Sequence, residues 1–72
     1  MINVNNADYC WVDGMTVEML LIGLKENSKF SYLINSTTTV IINGIIVPDN
    51  EFAFKLINDG DIIVMYPMLM GG

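Results

Sequence analysis

Few side chains in this sequence can do chemistry unaided. The 72 residues contain no histidine, no arginine, one cysteine (Cys10) and three lysines (Lys25, Lys29 and Lys55), against eight Asp and Glu. Imidazole and thiolate ligands are almost missing, which excludes a dedicated transition-metal site. A single thiol also excludes an internal disulfide. Asp59 and Asp61 form a nominal carboxylate pair, but Gly60 lies between them, and they are expected to be turn formers, like Asp13 beside Gly14. What remains is the carboxyl end. After Tyr66 the chain reads Pro67-Met68-Leu69-Met70-Gly71-Gly72, an apolar arm tipped by two glycines. A terminal carboxylate is a poor electrophile until it becomes a mixed anhydride or thioester, so an enzyme that activates it must thread the last residues to a nucleotide site. Glycine suits a narrow path because it lacks Cβ and lets another backbone approach closely. Met68, Leu69 and Met70 would grip the channel mouth, methionine being suited to adaptable contacts. Exposing such side chains on an acidic miniature domain calls for something that binds them.

The body behind that arm is small. A chain of this length makes one domain, with residues 1–66 as the globular body and 67–72 as the tail, and it buries roughly 60 % of its unfolded surface. At 53 % hydrophobic and 15 % charged it is too apolar for intrinsic disorder. The net charge of −5, with the lysines scattered, gives no footing for nucleic acid or for an anionic membrane surface. It biases any protein partner towards basic docking surfaces. The first ten residues have no basic region of the kind that opens a signal peptide, and uncharged stretches such as residues 36–48 are too short and polar to span a bilayer. The expected compartment is the cytoplasm.

Periodicity supplies the elements. Ile2-Asn3-Val4-Asn5 alternates apolar and polar as a half-buried strand does; Asn6-Ala7-Asp8 reads as a turn, and Tyr9-Cys10-Trp11-Val12 as the second arm of a hairpin. Strand alternation places Cys10 with Val12, opposite Tyr9 and Trp11. Cys10 is expected to be a buried structural thiol rather than a persulfide carrier. Tyr9 and Trp11 are then left for the outer sheet face, as a partner surface or as cross-strand packing. Val17, Leu20, Leu21 and Leu24 make the stripe of a core-facing helix, capped by Thr16, with Glu18 and Lys25 matching the two ends of its dipole. Residues 29–37 read equally as a strand through Phe30, Tyr32 and Ile34 or as a loop packed on the core. Asn43-Gly44 between Thr38-Thr39-Val40-Ile41-Ile42 and Ile45-Ile46-Val47 is the clearest hairpin signal, closed by Pro48. Phe52, Leu56 and Ile57 fit a short helical turn, and Asn58-Asp59-Gly60 another turn. Residues 61–66 form a nearly continuous apolar strand, expected to be central and covered on both faces.

Three segments together resemble the ubiquitin-like sulfur-carrier family, which includes ThiS and MoaD. They are Gly14-Met15-Thr16-Val17 with Leu20-Leu21; Ile42-Asn43-Gly44-Ile45-Ile46-Val47-Pro48 with Phe52; and Asp59-Gly60-Asp61 followed by the apolar strand and Gly71-Gly72. The last is the most specific. Val47-Pro48, Phe52 and the short length look like the thiazole branch (ThiS); Pro67 after an aromatic strand end is closer to the molybdopterin branch (MoaD). The resemblance implies an α+β, β-grasp fold with a mixed sheet of about four to five strands on one helix. It also implies a carrier that catalyses nothing and holds no bound cofactor. Gly72 would be adenylated by an E1-like (ThiF/MoeB-type) enzyme and then carry sulfur as a thiocarboxylate, with Gly71 keeping the arm thin. Pro67, Met68, Leu69 and Met70, with a hydrophobic patch on the sheet, would dock that enzyme and the acceptor, thiazole synthase or the molybdopterin synthase large subunit. A subunit that completes the synthase's active site and a ubiquitin-like modifier are the alternatives.

Overall fold

In the computed structural model, residues 1–31, 34 and 38–67 are described. The order is β1 (Ile2–Val4), β2 (Ala7–Tyr9), α1 (Val17–Lys25), β3 (Thr38–Ile42), β4 (Ile45–Val47), a 3-10 turn (Asp49–Glu51) and β5 (Ile62–Pro67). The strands form one sheet in the order β2-β1-β5-β3-β4. β1 runs parallel to β5, while β1–β2, β3–β5 and β3–β4 are antiparallel. This is the α+β, β-grasp arrangement, with two hairpins flanking a central last strand and one helix laid across a single face.

That face is the core. Val17, Leu20 and Leu24 of α1 are buried against Ile2, Val4, Val40, Ile42, Val47, Ile63 and Met65 of the sheet, with Ile57 and Phe30 completing the cluster. Thr16 caps the helix as its type suggests, its Oγ1 accepting from the Met19 N–H at 3.2 Å. The other two free N–H groups of the first turn go to partners distant in sequence. Val17 donates to the Lys55 carbonyl and Glu18 to the Phe52 carbonyl, both at 2.9 Å. The segment after β4 thus plugs the helix N-terminus, and Ile57 is anchored in turn by donating to the Met15 carbonyl at 2.9 Å. Of residues 29–37, Phe30 is buried and Ile34 packs on the core; residues 32, 33 and 35–37 lie outside the described set.

Both hairpins form, but the first is shifted from the sequence expectation. Its turn is Asn5-Asn6, with φ of 49° and 68°, and β2 is Ala7–Tyr9, so residues 10–12 fall outside the strand. Asparagine tolerates the left-handed region better than other non-glycine residues, so two in succession can form a tight turn that a search for Gly passes over. The faces are exchanged as well. Tyr9 and Trp11 pack on the core and Cys10 is exposed, contrary to the expected buried thiol. Tyr9 meets Phe30 edge to face at 5.8 Å between centroids, and Trp11 Nε1 donates to the Ile57 carbonyl at 2.8 Å. Two aromatic rings have far more apolar area to bury than a thiol, and each finds cover only inward.

Leu24 lies fully buried at the centre of this packing. Leu24→Ala is expected to cost about 3 kcal/mol, a large part of the roughly 4–11 kcal/mol available to a domain of this length. Urea unfolding should show a lower midpoint with an unchanged slope.

Candidate functional site

β5 is the element that leads to the carboxyl arm. Its central position is as expected, but its cover is one-sided. Ile63 and Met65 are fully buried, whereas Ile62, Val64 and Tyr66 on the other face are 58 %, 42 % and 47 % exposed. One nine-residue helix covers one face, and no described element crosses the other. The apolar run therefore reflects an open surface rather than burial on both sides.

Register extends this surface across three strands. Tyr66 lies opposite Thr39 and Val64 opposite Ile41, and Ile41 lies opposite Ile46 of β4. Ile46 is exposed as well. Towards β1 and β2 the same face turns polar, through Asn3 opposite Ile62 and Asp8 opposite Asn3. None of the three lysines lies on a strand. The face is an apolar stripe with a polar flank, and it runs to the last residue of β5.

Pro67 is that last residue, paired with Thr38. The assignment of residue 67 to the tail is thus off by one position, since Pro67 still belongs to the strand. The register explains why proline is tolerated. Asn43 donates to the Ile62 carbonyl at 2.8 Å, so hydrogen-bonded pairs with β3 alternate at Ile62, Val64 and Tyr66. The Pro67 nitrogen consequently faces the β1 side, where β1 has already ended, and its missing N–H leaves no ladder bond unmade. Met68, Leu69, Met70, Gly71 and Gly72 lie outside the described residues.

Two asparagines that the residue pattern marked only as turn or strand residues hold β5 in place. Asn5 Nδ2 donates to the Met65 carbonyl at 2.7 Å, and the Met65 N–H donates to Asn5 Oδ1 at 2.8 Å. Asn43 acts at the other end, on two neighbouring residues. Its Oδ1 accepts from the Ile62 N–H at 2.9 Å, and its Nδ2 donates to Asp61 Oδ1 at 3.0 Å. Asp61 is the single buried charged residue among those described, and its Oδ2 accepts from the Asn58 N–H at 2.9 Å, the turn-forming role expected of it. Left-handed asparagines directly after strands, at Asn5 and Asn43, are the signal that could have revealed both clamps.

Among the described residues no group of three or more His, Cys, Asp or Glu could hold a metal ion. No described helix is long and apolar enough to cross a membrane.

The small β-grasp sheet with an open apolar face resembles the ubiquitin-like sulfur carriers, and the fold is ThiS-like. It matches the crystal structure of the thiamine biosynthesis protein ThiS from Geobacter metallireducens with a TM-score of 0.69 and 28 % identity, over 99 % of this chain and 97 % of that one. No protein-family model matches the sequence, and no curated protein does.

Cys10 tests the exchange of faces in the first hairpin. In the native protein it is expected to react with a thiol reagent in full, one equivalent per chain, without denaturant. A thiol that reacts only after unfolding would contradict the exposed placement.

Proposed function

We propose that this chain is a sulfur-carrier protein of thiamine (thiazole) biosynthesis, a protein co-substrate whose reactive group is the Gly72 carboxylate. An E1-like (ThiF/MoeB-type) enzyme joins that carboxylate to AMP, releasing pyrophosphate from ATP. A partner persulfide displaces AMP, and a second thiol supplies the electron pair that cleaves the S–S bond. Gly72 is left as a thiocarboxylate, the sulfur donor to thiazole synthase in the cytoplasm. The carrier supplies no acid, base or metal. It supplies a thin arm and a place to dock.

The single observation that carries this reading is the backbone match to a ThiS protein over nearly the whole chain, in a sequence that ends after the central strand in Gly71-Gly72. The open face supports it. Thr39, Ile41, Ile46, Val64 and Tyr66 adjoin the root of the arm, so an enzyme that receives Gly72 can rest on them at the same time. A net charge of −5 favours a partner with a basic rim around an apolar centre. Pro67 after Tyr66 favours a second reading, the small subunit of molybdopterin synthase. Rescue of a molybdenum-cofactor auxotroph instead of a thiamine auxotroph would select it.

Incubation with the activating enzyme, ATP and a sulfur source should add first AMP and then one sulfur in place of oxygen, read by intact mass with fragmentation placing both on Gly72. Deleting Gly71 and Gly72 should abolish both adducts while leaving the thermal midpoint unchanged. An unmodified full chain beside an active enzyme control would refute the proposal.

A further inference from the structure

The Asn5 clamp lies where the strand loses its neighbour. β1 pairs with β5 only through Asn3–Ile62 and Val4–Ile63, with one further bond from the Asn5 N–H to the Ile63 carbonyl at 3.0 Å. By the alternation of the β3 ladder, the N–H and C=O of Met65 point away from β3, towards the side that β1 has vacated. Met65 is fully buried, so both groups would stand without partners inside the protein. The Asn5 side-chain amide replaces the missing strand, donating to the carbonyl and accepting from the N–H. It is the last tie to β5 on that side, two residues before Pro67 and seven before Gly72.

We infer that Asn5 is a positioning residue. It fixes the direction in which β5 delivers the chain towards Gly72, and so the fraction of molecules whose arm is aligned for activation. The inference rests on the function proposed above for Gly72. The physical basis is that a partner which binds one orientation of the arm sees its apparent affinity fall in proportion as other orientations become populated. Once bound, the arm is held by the partner, so the chemical step is unaffected.

Asn43 provides a matched control. Its side-chain amide also holds β5 from a left-handed turn position, but at the opposite end, accepting from the Ile62 N–H and donating to the Asp61 carboxylate. Asn5→Gly and Asn43→Gly each keep the positive φ available and remove the amide. Asn43→Gly also deprives buried Asp61 of one partner, so both variants leave buried polar groups short of a bond and both lose stability.

The test measures ATP-dependent adenylation of the full-length wild type and both variants, with amide exchange and 15N relaxation at Met65 and Tyr66. Asn5→Gly is expected to raise KM about fivefold with kcat unchanged, and to speed Met65 exchange by about tenfold or more. Asn43→Gly should leave KM at the wild-type value despite its lower stability. Equal KM increases in both variants would mean a general loss of structure and overturn the inference, as would an unchanged KM in Asn5→Gly. If the wild type accepts no AMP, the proposed function fails instead. The relaxation data then decide the positioning claim alone, and unchanged Tyr66 motion in Asn5→Gly overturns it.

Discussion

The constraint behind the rest of the structure is that β5 must be both the centre of the sheet and the stem of the carboxyl arm. As the central strand it takes hydrogen bonds from β3 on one side and β1 on the other, and it contributes Ile63 and Met65 to the core beneath α1. As the stem it must run on past the end of β1. The two demands conflict near Met65, where β1 has stopped but buried backbone groups still need partners. The Asn5 amide resolves the conflict on one side. On the other, β3 stays paired as far as Thr38 and Pro67. Proline then occupies the one place in the ladder where an absent donor costs nothing.

A second consequence follows from size. One nine-residue helix can cover one face of a five-stranded sheet. The helix is fastened by its own cap and by the carbonyls of Phe52 and Lys55, which tie the segment after β4 across its first turn. Val17, Leu20 and Leu24 then seal the inner face. No described element covers the apolar residues of the outer face, and an acidic chain with three lysines, none on a strand, gives that face an apolar middle and a negative setting. Under the function proposed above, such a surface next to the root of the arm is where a partner would rest.

Much of this was legible along the chain, for reasons that differ by element. The β3–β4 hairpin was readable because Asn43 and Gly44 are the residues a type I′ turn demands. Helix α1 was readable because Thr16 and the leucine stripe act within a few residues of one another. The first hairpin was displaced because Asn5-Asn6 forms the same kind of turn without glycine. The faces of Tyr9, Cys10 and Trp11 came out reversed because alternation fixes which side chains share a face, not which face is covered. Only the position of α1 and of Phe30 decides that.

By itself, then, the sequence determined the order of elements, the two hairpins, the helix with its cap, and the scarcity of side chains able to do chemistry. These are matters of local spacing and residue type. The tertiary structure decided that the apolar last strand is buried on one face and open on the other, that Cys10 is exposed, and that Asn5 and Asn43 hold β5 at either end. Each of those depends on groups 18 to 60 residues apart in the chain or on which face the helix covers. No local pattern records such a distance, because hydrogen bonds of this kind exist only once the strands have met.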